Sequence, residues 1–174
     1  MSKAMTGRER FFEENDVIVT KTDCSGRITY ANDIFLNISD LNESAAIGAP
    51  HNIIRHPDMP ACIFRLLWTT VQAGREIFAY VLNRAANGDH YWVFAHVTPT
   101  LAADGQIAGF HSNRRRPDRR IIEETMVPLY RTLLNTECQA VSRAKGIEAA
   151  QALLEQRLQA QGMDYDRFIF SLQA

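Results

Sequence analysis

Few side chains in this sequence could do chemistry unaided, and their spacing decides against most reactions. Cys24, Cys62 and Cys138 are odd in number and show no paired spacing, which argues against a disulfide framework and for a reducing compartment. His51, His90, His96 and His111 have no metal-ligand spacing and read as structural or exposed. No Ser-His-Asp or Cys-His arrangement, phosphate loop or metal quartet can be assigned, so no enzyme is expected: no catalytic residue and no metal site. The basic run Arg114, Arg115, Arg116, Arg119 and Arg120 is followed at once by Glu123 and Glu124. It reads as a solvated strand-to-helix junction and not as a polyanion site. A formal net charge of −1 leaves no field to draw in nucleic acid or an anionic membrane.

The elements that would position any site follow from periodicity and turn chemistry. At 174 residues, 46% of them hydrophobic, the chain can bury a core without disulfides or metals. No stretch reaches the roughly 20 apolar residues of a membrane span, and the polar start lacks a signal-peptide segment. A cytoplasmic protein is expected. Residues 8–15 suggest a short charged lead-in helix. Strands are expected over 16–22 and 27–30 around the turn Asp23-Cys24-Ser25-Gly26, then a helix over 34–38 capped by Asn32 or Asp33. Residues 39–60 are broken by Gly48, Pro50, Pro57 and Pro60 into short helical turns. A helix follows over 61–72, with Ile63, Phe64, Leu66, Leu67, Trp68 and Val71 at helical spacing. Strands over 76–84, 90–100 and 106–113 are separated by Asn87-Gly88-Asp89 and Ala103-Asp104-Gly105.

Helices are expected over 119–135, with Pro128 kinking or restarting the first, and over 136–161, before a final apolar segment at 165–172. The order gives an α+β domain: a five-stranded antiparallel sheet with short helices on one face, plus a C-terminal helical extension. The expected boundaries are a lead-in over 1–15, the α+β domain over 16–118 and the extension over 119–174. An apolar stripe of Val141, Ala144, Ile147, Leu154 and Leu158, then Phe168, Ile169 and Leu172, needs a surface to cover. That surface could be the chain's own sheet, an intramolecular helical hairpin, a second copy in a homodimer, or a partner.

Three strings carry a family resemblance. Ile28-Thr29-Tyr30-Ala31-Asn32-Asp33, the eleven residues from Pro50 to Pro60 with Arg55-His56-Pro57-Asp58 at their heart, and Asn83-Arg84 through Asn87-Gly88-Asp89-His90-Tyr91-Trp92-Val93 resemble the PAS domain of bacterial aerotaxis receptors. The likeness runs from about residue 16 to about residue 135. It implies a PAS fold and a non-covalently bound FAD whose redox state sets the signal. At matching positions it implies contacts from Asn32, Arg55, His56, Asp58, Phe64, Trp68, Asn83 and Tyr91. Arg55 would bring a permanent cation with a planar donor fork, Asn83 a donor and an acceptor for the pyrimidine edge, and Trp68 a stacking plane or a wall. His56 and Asp58 would hold the loop or bond the adenosine part.

One departure stands out. The Trp-Ser-Gly run common in that family is here Ile77-Phe78-Ala79, which adds bulk beside a strand face that could line the pocket. FMN, or haem with His56 or another histidine as axial ligand, is the alternative cofactor; a PAS module binding another ligand, or only mediating protein contacts, is the alternative function. Cys62 lies in Ala-Cys-Ile-Phe, unlike the Asn-Cys-Arg-Phe-like string of light-sensing flavin domains. Aerotaxis receptors continue into a membrane anchor and a chemotaxis signalling module. No stretch of this sequence offers such an anchor. The resemblance and that lack together give the expectation of a redox or oxygen sensor reporting to a separate membrane-bound or soluble transducer, with no direct membrane insertion.

Overall fold

Each strand of the sheet alternates between a face that is closed off and one that is less so. The computed structural model describes residues 4–173. Five strands, β1 (Ile18–Thr22), β2 (Ile28–Ala31), β3 (Ile77–Arg84), β4 (His90–Leu101) and β5 (Ile107–Arg115), form one sheet in the order β2-β1-β5-β4-β3, with β5 central. All pairs are antiparallel. Cross-strand partners share a face. The register Thr20↔Ser112, Ile18↔Arg114, Ala95↔Arg114 and Asn83↔Tyr91 therefore puts those residues on one side. Phe78, Phe94 and His96 lie on the other, where Phe78 stacks on His96 at 4.1 Å between centroids.

Two short helices, α1 (Asp33–Ser39) and α2 (Glu43–Ala46), and a 3₁₀ turn (His51–Ile54) follow β2. Asn caps both helices: the Asn32 side chain accepts from Phe35 N–H and that of Asn42 from Ala45 N–H. Phe35 of α1 and His51 of the 3₁₀ turn lie against Arg114. These elements thus cover the face that carries Thr20, Asn83, Tyr91, Ser112 and Arg114, the inner face hereafter.

The chain resolves into two compact units, residues up to 56 with 71–117, and residues 57–70 with those from 118 onward. The first holds the sheet. Its lead-in is extended and not helical: Thr6 N–H donates to the Gly88 carbonyl, and Arg10 N–H to that of His90. Gly88 is needed here, since its φ is +94° and a Cβ would stand 2.1 Å from the Ala4 carbonyl oxygen. An isolated sequence window cannot reveal such a segment, because its hydrogen bonds go to a hairpin some 80 residues away in the chain.

The second unit contains the first ten residues of α3 (Ala61–Gln72) and the C-terminal helices α4 (Arg119–Ile121), α5 (Val127–Gln139), α6 (Arg143–Ala160) and α7 (Tyr165–Ser171). Between α4 and α5 the helix widens into a π turn over Ile122–Met126, and Pro128 follows in the first turn of α5. Proline has no N–H to continue an α ladder, and the wider turn absorbs the mismatch. The next break falls at 140–142 and not after 135: Thr136 bonds back to the Thr132 carbonyl within α5, and Ser142 caps α6. The buried seam of α6 is Gly146, Ala150, Leu154 and Leu158, a four-residue stripe. Val141, expected in that stripe, is 89% exposed in the link before α6. Gly146 lets α6 approach α5, because a Cβ there would sit 2.3 Å from the Glu137 carbonyl oxygen.

Candidate functional site

In the first unit the β3–β4 hairpin end gathers one group of candidates. Asn83, one residue before the end of β3, faces Tyr91 across the strand pair, and Arg55 forms an isolated antiparallel bridge with Asn83. His56 is buried and meets His90, the neighbour of Tyr91, edge-on at 5.8 Å. Arg55, His56, Asn83 and Tyr91 thus belong to one locality. Two of them are incomplete. The Asn83 amide nitrogen and the Tyr91 hydroxyl are buried with no hydrogen-bond partner. Burial also raises the Tyr91 pKa above its ordinary value, against a smaller pull from Arg114, so the phenol stays protonated.

A second group lies on β1, β5 and the 3₁₀ turn. Arg114 on the central strand is only 4% exposed. One of its terminal nitrogens donates to Thr20 Oγ1 at 2.7 Å and to His51 Nε2 at 2.7 Å. A guanidinium cannot accept, so His51 Nε2 must be the acceptor and the imidazole proton sits on Nδ1. Burial first, and then the Arg114 charge, push the His51 pKa down to about 3, so the ring is neutral near pH 7. The ring of Phe35 lies 5.8 Å from the guanidinium carbon. No carboxylate pairs with Arg114 among the described residues, and burial lowers its pKa to about 10. Its other terminal nitrogen, with Ser112 Oγ and Thr22 Oγ1 on the same face, is buried without a partner.

Native interiors rarely leave polar atoms unpaired, because each costs about 1–3 kcal/mol. Five such residues share one sheet face: Asn83 and Tyr91 at the hairpin end, Arg114 and Ser112 further along, and Thr22 towards the other end. The Asn83, Tyr91 and Arg114 groups can all donate to a polar, planar ligand. Oxidised flavin carries carbonyl oxygens and ring nitrogens that accept, so the donor set fits that group.

The other expected contacts divide. Asn32 is committed to the backbone: its oxygen accepts from Val19 N–H at 3.0 Å and Phe35 N–H at 3.1 Å, and its nitrogen donates to the Val17 carbonyl at 2.8 Å. It fixes α1 to β1. Asp58, Phe64 and Trp68 belong to the second unit, with Asp58 exposed and the two aromatics half-buried. The substituted run 77–79 divides between the two faces. Phe78 points to the outer face and adds nothing to the inner one, while Ile77 and Ala79 are buried on the inner side.

The basic run is a solvated junction at Arg115, Arg116, Arg119 and Arg120, which are exposed, but not at Arg114, since Phe110, Ser112 and Arg114 alternate inward on β5. Period-two counting from Phe110 would have found it. His51 and Thr20, also missed, carry no local signal. Among the described residues no group of three or more His, Cys, Asp or Glu is placed to hold a metal, and no helix is long and apolar enough to cross a membrane.

Comparison with known proteins follows the same outline. Residues 28–113 match the PAS fold. The chain is 38% identical over 120 residues to the aerotaxis receptor of Escherichia coli (strain K12), covering 69% of this chain and 23% of that protein. It thus spans about a quarter of that relative's length. A PAS domain from Colwellia psychrerythraea superposes with a TM-score of 0.55 at 19% identity, covering 60% of this chain and 88% of that one. A light-oxygen-voltage domain described with a flavin analogue gives 0.57 at 12% identity, covering 67% and 87%.

Proposed function

The chain belongs to the PAS-fold family, and from that premise we propose that it is a redox or oxygen sensor that holds FAD non-covalently and signals to a partner protein. The observation that carries this reading is the set of unpartnered buried polar atoms on the inner sheet face. Such a face is costly by itself and becomes favourable once a planar acceptor-rich ligand pairs with it. FAD would supply reversible electron transfer, and the protein supplies binding and the response. Asn83 would present its amide to the pyrimidine edge, with Tyr91 and Ser112 donating hydroxyl hydrogens nearby. Arg55 and His56 would secure the loop from residue 51 to 56 against β3. Asp58, Phe64 and Trp68 enter the proposal through the resemblance to aerotaxis receptors alone. Signalling requires that the two redox states favour different protein conformations, and a membrane-bound or soluble transducer in the cytoplasm would read the difference.

The absorbance spectrum of freshly purified protein tests the cofactor. Two flavin bands, in the near ultraviolet and the blue, are expected, and the cofactor released on denaturation should run as FAD and not as FMN. A Soret band, or a protein that stays colourless after incubation with FAD, would overturn the assignment. Asn83→Leu and Tyr91→Phe should each release the flavin without unfolding the domain, because each removes an atom that has no partner in the protein. Full flavin occupancy in both variants would remove these residues from the site.

A further inference from the structure

Arg114 is the only charged side chain on the inner face among the described residues of β1, β3, β4 and β5. It sits on the central strand, flanked by Ile18 on β1 and Ala95 on β4. The partners that hold it, Thr20 and a neutral His51, are uncharged and position its fork without cancelling its charge. The other strongly buried charge of this unit, Asp89, is paired with Arg8. A buried, positioned, uncompensated cation with a spare donor calls for a ligand that brings negative charge to it.

Building on the flavin reading, we propose that Arg114 is the counter-charge of the cofactor's ring: it binds the edge where reduction places negative charge, and so favours the reduced cofactor over the oxidised one. A pyrophosphate fits this position less well. It is permanently charged and strongly hydrated, and a single nearly inaccessible guanidinium with one free terminal nitrogen would leave most of its oxygens unpaired. One donor and one positive charge match a ring edge that gains a single charge. The electron balance is as follows. A donor of the hydride class, such as a reduced nicotinamide, breaks a C–H bond and delivers two electrons and one proton to N5 of the ring. The ring, neutral before, then carries one negative charge on its N1–C2 carbonyl edge, and the oxidised donor leaves as a cation. With Arg114 beside that edge, no second proton from water is needed.

The experiment compares oxidised and reduced FAD binding to the cofactor-stripped full chain, for the wild type, Arg114→Gln and Arg114→Lys. Wild type should prefer reduced FAD. Arg114→Gln should lose about tenfold or more of that preference, as expected for one charge-assisted hydrogen bond, while Arg114→Lys should keep most of it. Proton uptake on electrochemical reduction, where an electrode supplies the two electrons and water the N5 proton, should be one per flavin near pH 7 when read with an indicator dye on the wild type. This second measurement does not depend on whether a variant folds. Flavin binding with an unchanged preference in Arg114→Gln, or two protons taken up by the wild type, would overturn the role of Arg114 and leave the flavin reading intact. Failure of the wild type to bind FAD in either state would overturn both.

Discussion

Among the described residues of the sheet unit two charges are buried, and they are treated in opposite ways. Asp89, at the β3–β4 turn, is 2% exposed and surrounded by donors: Thr6 Oγ1 at 2.6 Å, Arg8 through Nε at 3.2 Å and Nη2 at 2.9 Å, and Asn87 Nδ2 at 2.9 Å. These bonds hold its carboxyl well below the usual carboxylate range, at about 2. Arg114, in the middle of the sheet, is as well hidden and lacks an anion. The first arrangement is complete without a ligand, and the second is not. Burial alone therefore does not mark function here. A buried charge with an unanswered donor is what carries the proposal at Arg114.

The comparison can be broken most directly at Arg114. Arg114→Met removes a cation that no carboxylate among the described residues pairs with, and leaves Thr20 Oγ1 and His51 Nε2 to bond each other at 3.2 Å. The cofactor-free protein should therefore become more stable, by less than the penalty of about 1–3 kcal/mol for an unsatisfied buried polar group because two hydrogen bonds are lost with the guanidinium. The same variant should retain less FAD through purification, having lost one donor of the site. Chemical denaturation of stripped protein with a matched flavin assay reads both. A loss of stability in the stripped variant would mean that Arg114 is a structural residue like Asp89.

Asp89→Leu should do the reverse, lowering the melting temperature and freeing residues 4–10 to proteolysis while leaving flavin content unchanged in the protein that remains folded. Its pH signature follows from the direction of the shift. A carboxyl whose pKa falls on folding contributes stability that is complete above its ordinary value of 3.8 and is lost as pH drops through about 2. Acid titration of stability should show that loss between about pH 4 and pH 2 in the wild type and a flatter profile in Asp89→Leu. Parallel profiles would sink the assignment.

The legibility of the two sites in the sequence differs for the same reason that their chemistry does. Asn87-Gly88-Asp89 is a local turn signal, and the strands on either side announce themselves by β-branched and aromatic residues, so the hairpin was readable. Helix boundaries set by a side chain in sequence proximity, as at Asn32, were readable too. What escaped depends on partners remote in the chain. The lead-in looked helical because Arg8 to Asn15 has helical composition, yet its backbone bonds go to residues 88 and 90. Arg114 sat in a run of five arginines whose collective look was solvent, and only its strand register separates it from Arg115. Of the eight expected contact residues, the four near the hairpin end gather in one place, because the matched strings lie on adjoining elements. His51 and Thr20 could be found only after β1 and β5 were known to be neighbours.

The helical unit supplies a third case, a carboxylate that answers donors instead of awaiting them. Glu137 near the end of α5 accepts from Ala61 N–H at 3.1 Å and Cys62 N–H at 2.8 Å, capping α3 from 75 residues away and opposing the positive end of its dipole. Burial, followed by the Glu137 charge, pushes the Cys62 thiol up to about 12, so it should react slowly while exposed Cys24 and Cys138 react fast. Glu137→Ala should cost about 1 kcal/mol, as removal of a helix cap does. If Cys62 becomes reactive only through local opening, that cost should quicken its labelling about fivefold. Flavin content should not change, which separates this cap from Arg114. Labelling of Cys62 at the wild-type rate in Glu137→Ala would show that the cap contributes nothing to holding α3 closed, and the contrast would then rest on Asp89 alone.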